Sequence, residues 1–240
     1  MLVEVCANSL ESALNAEKAG ADRIELCSEL GVGGITPSHG LILEVKKRLK
    51  IPVHILIRPR SGHFTYSSFD MEVMKNDIAF CEEIGINGIV SGVLYDDFSP
   101  DIEKTAILVQ ASGAMKFTFH RAFDWVPDPI KTLHQLEGLG VDYILTSGQK
   151  ASAEKGLNLL EKLHNISNTC TVMAGGGVRL NTCKVFADLG LKALHLSGTS
   201  FNTPLNLKGK IPMNSAKHLN ETSIAVTNEE TIRQIVRSVK

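Results

Sequence analysis

The sequence predicts an α/β protein, a single domain over residues 1–240 that folds as a (β/α)8 barrel, also called a TIM barrel. Two observations predict this fold: an internal repeat that places a strand after a helix-closing glycine, and eight strand candidates that alternate with helical segments. The length also fits, because a typical barrel of this kind takes about 250 residues. With 43% hydrophobic and 21% charged residues, the composition is that of an ordinary globular protein.

The repeat has four copies, each with a helix-closing glycine, an apolar residue, a polar residue and the start of a strand. The copies cover residues 19–24, 84–89, 139–144 and 189–194. They recur roughly every 50 to 65 residues, which is the length of about two βα units. We therefore expect them to mark strands two, four, six and eight. The other strands begin near Leu2, Val53, Phe117 and Val172.

The first quarter of the chain reads as alternating strands and helices. Strands one to three are expected at residues 2–6, 23–27 and 53–57, with a glycine-rich loop at residues 31–40. Asn8-Ser9-Leu10-Glu11 begins the first helix with a spacing like that of a capping box, and Gly20 ends it. A second helix runs through Leu49.

The region around residue 120 reads as a strand, a short polar loop and a helix. Thr118 and His120 occupy one face of the strand and Phe117 the other, because strand side chains alternate. Asp128-Pro129 supplies an acidic N-cap and a proline at the first helical position.

The C-terminal part departs from this rhythm. Residues 199–223 contain Pro204 and Pro212 without a periodic pattern, and we expect a long loop, a feature that is usually functional or disordered. Thr227-Asn228-Glu229-Glu230 then caps a last helix that runs to about Val239. An open, doubly wound sheet is the competing fold, but it needs fewer strands and normally a G-x-G-x-x-G motif, which is absent.

Charge and cysteine content exclude several classes of protein. A net charge of -1 and a pI near 6.7 give no reason to expect nucleic acid or an anionic membrane as the main partner. The sequence shows no basic leader and no apolar run of about 18 residues, so we expect a cytoplasmic protein. The five cysteines lack C-x-x-C spacing, which favours free thiols over disulfides or a zinc ribbon.

The first two strands each contain a Glu-x-Cys motif, Glu4-Val5-Cys6 and Glu25-Leu26-Cys27. Acid and thiol share a face on each strand, and adjacent strands lie about 4.8 Å apart, so the two sulfurs could reach one ion. Two thiolates suit a soft ion of low coordination number such as Cu(I) rather than zinc, which usually takes four ligands. The alternative is that both cysteines are small buried hydrophobic residues.

Further polar residues cluster at the carboxyl ends of the strands, where this fold places its active sites. The catalytic candidates are Glu25, Arg58, His120, Arg121 and Asp124. Glu25 and His120 can serve as acid and base, while Arg58, Arg60 and Arg121 can bind an anionic substrate. Asp124 could orient the histidine or an arginine. Glu4 and His54 sit early in their strands, which favours an internal hydrogen-bond network over catalysis.

The loops after strands seven and eight are glycine-rich. In barrels these loops often bind phosphate through backbone N–H groups, although tight turns need glycine in any case. The candidate binding positions are Gly175, Gly176, Gly177 and Gly198.

Taken together, these motifs resemble the CutC family, whose name refers to copper homeostasis. The resemblance covers nearly the whole barrel and is carried by six segments, at residues 20–27, 33–38, 57–60, 118–124, 144–148 and 175–178. It implies a TIM barrel, a cytoplasmic homodimer or homotetramer, and a Cu(I) site at the two family cysteines, Cys6 and Cys27. Two departures are visible: Ala174 stands where the family usually has proline, and Gly198 where it commonly has alanine.

Three hypotheses follow for function. The first is a protein that binds Cu(I) at Cys6 and Cys27. The second is an enzyme that acts on a small anionic or phosphorylated metabolite, with Glu25 and His120 in acid/base roles. The third, a purely structural or interaction barrel, predicts an apolar interior and an uncharged mouth, and the polar strand ends speak against it.

Overall fold

The computed structural model describes residues 1–203, 205–211, 213 and 221–240. Eight parallel strands pair in sequence order and close into a barrel, because β1 pairs with both β2 and β8. The strands are β1 (Leu2–Ala7), β2 (Arg23–Leu26), β3 (Val53–Leu56), β4 (Gly88–Ser91), β5 (Lys116–Phe119), β6 (Tyr143–Thr146), β7 (Thr171–Gly175) and β8 (Ala193–Leu196). The (β/α)8 barrel predicted from the sequence is confirmed.

Helices follow the strands and surround the sheet. They are α1 (Leu10–Lys18), α2 (His39–Arg48), α3 (Ser68–Glu83), α4 (Ile102–Ala111), α5 (Pro129–Gly138), α6 (Leu157–Ile166), α7 (Cys183–Asp188) and α8 (Glu229–Val239). The largest apolar cluster lies between the outer face of the sheet and the inner faces of these helices. Burial of that surface is the main source of stability in such a fold.

The repeat predicted from the sequence places its strands correctly. Its four copies lead into β2, β4, β6 and β8, and their glycines have φ values between 71° and 90°. A residue with a side chain rarely adopts that backbone conformation, so glycine ends these helices at low cost.

Two helix starts test the capping predictions. Asp128 accepts a hydrogen bond from the backbone N–H of Lys131, with Pro129 as the first residue of α5, which confirms that start. In α1 the N-cap is Ser9, whose hydroxyl accepts from the N–H of Ser12. The predicted capping box with Glu11 is therefore wrong, because Glu11 lies one residue too early to reach back to the cap.

Two strands that the sequence did not predict lie in the described part of the segment before α8. β9 (Thr199–Asn202) pairs antiparallel with β10 (Ile224–Thr227), and this hairpin stands apart from the barrel sheet. Side chains of α1 hold β10, since Asn15 donates to the carbonyl of Thr227. Pro204 and Pro212 of the predicted loop lie outside the described residues. Among the described residues, no helix combines the length and the apolar character that a bilayer span requires.

The barrel interior is unusually polar for this fold. Side chains that point inward include Glu4, Arg23, His54 and Thr118, all buried. Gly88 makes room for one of them, because a Cβ at this position would lie 2.5 Å from two ring atoms of His54. The ring of His54 therefore packs directly against the β4 backbone at Gly88, near the amino-terminal end of the barrel strands.

We expect Gly88→Ala to destabilise the fold by about 1–3 kcal/mol, because the added methyl group has no free volume. Urea unfolding measures the change. Gly138→Ala is the matched control: nothing lies within 4 Å of a Cβ there, so that change should be neutral or stabilising by up to about 1 kcal/mol. Equal free energies of unfolding for the two variants would contradict this close packing of His54 against Gly88.

Candidate functional site at the barrel mouth

A cavity of about 840 Å³ opens at the carboxyl end of the barrel strands. Its wall brings together residues from seven of the eight strands or the loops that follow them, and two residues of α8. Of the residues predicted from the sequence, Cys6, Glu25, Arg58, His120, Arg121, Gly176, Gly177 and Gly198 line it. Asp124 and Cys27 lie directly behind lining residues, whereas Arg60 and Gly175 are not part of the wall.

The two cysteines of the Glu-x-Cys motifs are in contact, with 3.5 Å between their Sγ atoms. Cys6 faces the cavity and Cys27 is fully buried behind it. Leu30, Leu56 and Val90 complete an apolar cluster around the sulfurs. The contact with Cys27, followed by burial, raises the pKa of the Cys6 thiol well above its ordinary value, so Cys6 carries its proton at neutral pH.

Arg58 fixes the glycine-rich loop over this pair. Its guanidinium donates to the backbone carbonyls of Val32, Gly34 and Gly62 at 2.6 to 2.9 Å. Gly34 has a φ of 84°, and a Cβ there would lie 2.8 Å from Leu56. Arg58 was predicted to bind an anion, but most of its N–H donors form hydrogen bonds within the protein. Its main role is therefore to position the loop.

A buried ionic network lies beneath the cavity floor. Arg23 donates to Glu4 at 2.5 Å, and His195 Nδ1 lies 2.8 Å from the other oxygen of Glu4. Burial opposes ionisation of Glu4, but the charge of Arg23 and the hydrogen bond and charge of His195 outweigh it and lower its pKa to about 2. Burial lowers the pKa of His54 to about 4, so this ring is neutral. The internal network predicted for Glu4 and His54 is present at Glu4, whereas His54 Nδ1 lies 4.0 Å from Glu4 and has no hydrogen-bond partner among the described residues.

Glu25 and His195 form the upper, cavity-facing part of this network, with 3.5 Å between Glu25 Oε2 and His195 Nδ1. Glu25 Oε2 is buried and has no hydrogen-bond partner among the described residues. Burial, together with the charge of Glu4, raises the pKa of Glu25 to about 7. Although burial disfavours the charged ring, Glu25, Cys6 and Glu4 raise the pKa of His195 well above its ordinary value.

His120 differs from the acid/base role predicted for it. Burial, followed by the charge of Arg58, lowers its pKa to about 3, so the ring is neutral. Its Nδ1 accepts from the backbone N–H of Ala122 at 3.2 Å, which leaves the proton on Nε2. Phe64 packs on the ring, with 4.7 Å between the centroids. His120 is consequently a fixed hydrogen-bond donor rather than a group that exchanges protons near neutral pH.

Asp124 orients Arg121 and not His120. Its carboxylate lies 2.8 Å from Arg121 Nε, and Arg121 Nη2 donates to Ser147 at 3.1 Å. Asp124 also accepts from Thr146 and from the backbone and side chain of Ser147. Arg121 is therefore held in one orientation at the cavity edge, next to Gly176.

Two predicted residues have other roles. Arg60 pairs with Asp70 at 3.3 Å and donates to the carbonyl of Thr65, so it stabilises the start of α3 away from the cavity. A Cβ at Gly175 would lie 2.4 Å from Leu145, which indicates that this glycine serves interior packing.

His195 and Ser147 were not among the catalytic residues predicted from the sequence. His195 lies between two leucines on β8, a local signal for an inward polar residue, but its partners Glu4 and Glu25 come from β1 and β2. Ser147 carried no local signal, and only the approach of Asp124 gives it a role.

The fold and this cavity define a class of protein: a (β/α)8 barrel with a thiol pair and a buried carboxylate–imidazole pair at its mouth. The model of the CutC family matches residues 1–200, and the chain belongs to that family. A CutC family protein of Proteus mirabilis (strain HI4320) is 43% identical over 232 residues, which cover 96% of this chain and 93% of the relative.

Other relatives agree with this assignment. A CutC family protein of Serratia proteamaculans (strain 568) is 46% identical over 195 residues, covering 81% of this chain and 77% of the relative. The crystal structure of CutC from Streptococcus agalactiae has 32% sequence identity and a TM-score of 0.79, and the match covers 82% of this chain and 98% of that one.

We expect Glu4→Gln to destabilise the protein by about 3–5 kcal/mol at neutral pH, because it leaves Arg23 buried without a counter-ion. Urea unfolding measures the change, and the exposed Glu11→Gln is the control for loss of one carboxylate. If Glu4→Gln lowers the free energy of unfolding by less than about 1 kcal/mol, buried Arg23 does not depend on Glu4 as its counter-ion.

Glu25 predicts a specific pH dependence of stability. Its folded pKa of about 7 lies above its ordinary value of 4.5, so the stability that its proton contributes is complete only below pH 4.5 and is lost as the pH rises from there through 7. Glu25→Gln keeps a neutral group at every pH. As the pH rises from 5 to 8, the free energy of unfolding of the variant, measured with urea, should therefore increase relative to that of the wild type. If the difference between the two proteins stays constant over this range, the raised pKa is refuted.

Proposed function

We propose that this protein binds Cu(I) through Cys6 and Cys27 and takes part in copper homeostasis. The observation that supports it most directly is the 3.5 Å contact between the two sulfurs at the cavity floor. A metal–sulfur bond of about 2.3 Å, the length found for zinc, allows two sulfurs on one ion to lie up to about 4.6 Å apart. The observed spacing lies inside that limit, so one ion can reach both thiolates.

The chemistry of the donors favours copper over harder ions. Thiolates select soft ions, and Cu(I) accepts few ligands, whereas structural zinc takes four. Within the described parts of the chain, the one group of three or more potential ligands is Glu4, Glu25 and His195, which does not contain the cysteines. The apolar side chains around the sulfurs also suit a soft, low-charge ion.

The wider assignment rests on the relatives. The CutC structure from Streptococcus agalactiae is named for copper homeostasis, and the proposal extends that role to this chain. A cytoplasmic site fits the five free thiols, since reducing compartments keep cysteines reduced. Assembly into a homodimer or homotetramer remains a prediction that light scattering of the purified protein will test.

An anaerobic Cu(I) titration against a chromophoric chelator tests the proposal. Wild type should bind one ion per chain, and Cys6→Ser/Cys27→Ser should lose more than about 100-fold in affinity, because even indirect partners of a metal are worth about 10–100-fold. Cys170→Ser is the matched control, since Cys170 is also buried but lies away from the cavity. Equal affinity of the double variant and wild type would overturn the proposal.

A second candidate function is an enzyme that acts on a small anionic or phosphorylated metabolite. The observation that favours it is Glu25 Oε2, a buried carboxylate oxygen without a hydrogen bond at the cavity wall. Of the acid, base and anion groups predicted from the sequence, this candidate uses Glu25 and Arg121, with His195, 3.5 Å from Glu25, in place of the neutral His120.

A thermal-shift screen of carboxylated and phosphorylated metabolites tests this candidate. A ligand at 100 times its Kd stabilises by about 2.7 kcal/mol, which raises Tm by about 5 °C or more for a chain of this size. Glu25→Gln should keep that shift but lose exchange of ligand protons with deuterated solvent. A broad library without a stabilising ligand, or exchange that persists in Glu25→Gln, would refute the candidate.

A further inference from the structure

The cavity is far larger than a metal ion. A volume of about 840 Å³ falls in the range of about 300–1,000 Å³ that holds organic ligands. Cys6 faces this space while Cys27 lies behind it. An ion that reaches the thiol pair must therefore pass through a chamber with room for the molecule that carries it.

The charges of the chamber select for an anionic molecule. Arg58 is buried, yet its guanidinium contacts neutral carbonyls, and no described carboxylate forms an ion pair with it. A buried charge without a counter-ion is costly, so an anion in the adjacent cavity is stabilised. Arg58, Arg121 and Arg179 place three arginines on the wall, against one carboxylate, Glu25.

Arg121 offers a specific contact point within this positive field. Asp124 holds its Nε and Ser147 its Nη2. Nη1, beside Gly176, makes no hydrogen bond to a described residue. A guanidinium that is already oriented loses little entropy when it binds a carboxylate. The edge of the chamber therefore presents a pre-formed N–H donor with positive charge.

We propose that the chamber receives Cu(I) as a complex with a small thiol that bears a carboxylate, and that Arg121 binds this carboxylate while the metal passes to the cysteines. The inference rests on the proposed copper function and extends it to the donor molecule. Cu(I) prefers thiolate ligands, so a molecule that carries it must itself supply them. The cationic wall restricts that class to anionic thiols.

The transfer balances as two ligand exchanges without oxidation or reduction. Cys6 attacks first because it faces the chamber: its sulfur bonds to copper, one bond from copper to the small thiolate breaks, and the Cys6 proton moves to the departing thiolate. Cys27 repeats the exchange from behind. Copper stays Cu(I), and two molecules of small thiol leave protonated.

Stopped-flow transfer of Cu(I) from N-acetylcysteine and from its neutral amide tests the proposal, because the two donors differ chiefly in the carboxylate. We expect wild type to take copper about tenfold faster from the acid, the lower range of electrostatic acceleration. That preference should shrink at 1 M salt, where charges are screened beyond about 3 Å. Equal rates from the two donors would overturn the proposal.

Variants assign the effect to Arg121. Arg121→Gln should remove most of the preference for the acid, because it should slow transfer from the acid far more than transfer from the amide. Arg121→Lys, which keeps the charge, should restore part of the preference. Arg48→Gln removes a surface arginine paired with Glu44 on α2 and should change neither rate. An unchanged preference in Arg121→Gln would overturn the role of this residue.

The equilibrium titration separates this inference from the proposed function. If Cys6→Ser/Cys27→Ser loses Cu(I) but wild type shows no preference for the acid, the metal site stands and the anionic donor is wrong. If the double variant keeps its affinity for Cu(I), both proposals fail together.

Discussion

The register between β1 and β2 is the constraint on which the barrel mouth depends. Glu4 lies opposite Arg23 and Cys6 opposite Glu25, so one alignment places a carboxylate beside an arginine and brings the two thiols into contact. Because strand side chains alternate with a period of two, a shift of β2 by one residue would turn Arg23 and Glu25 out of the interior. The ion pair between Arg23 and Glu4 stabilises the correct alignment, since neither charge could be buried alone.

Burying charged and polar side chains inside the barrel lowers the stability of this protein relative to a barrel whose interior is apolar. Barrel interiors usually fill with branched apolar residues, whereas this one buries Glu4, Arg23, Glu25 and two histidines. The large cluster between sheet and helices stabilises the fold from outside the strands, so the interior is free to hold charge. What that charge provides is a pair of groups, Glu25 and His195, whose protonation differs from that of the same groups in water.

The loops over the cavity are held by side chains that also shape its charge. Arg58 donates to three carbonyls and so closes the glycine-rich loop over Cys27, yet its positive charge is not cancelled. Asp124 does the reverse for Arg121: it fixes the guanidinium while sharing its own charge with Thr146 and Ser147. Structural support and electrostatic field come from the same residues, which explains why the predicted anion-binding arginines differ in role.

The sequence by itself determined the fold and the pairing of the cysteines. Helix-closing glycines and the alternation within strands are local signals, and the repeated Glu-x-Cys motif on neighbouring strands brings Cys6 and Cys27 together once the barrel closes. Tertiary structure alone decided the states of the site residues. His120 is neutral, Arg60 faces away and His195 joins Glu25, because pKa values and hydrogen-bond partners depend on burial and on residues distant in sequence. The β9–β10 hairpin escaped prediction for the same reason, since its two strands are separated by more than twenty residues and recognise each other only after folding.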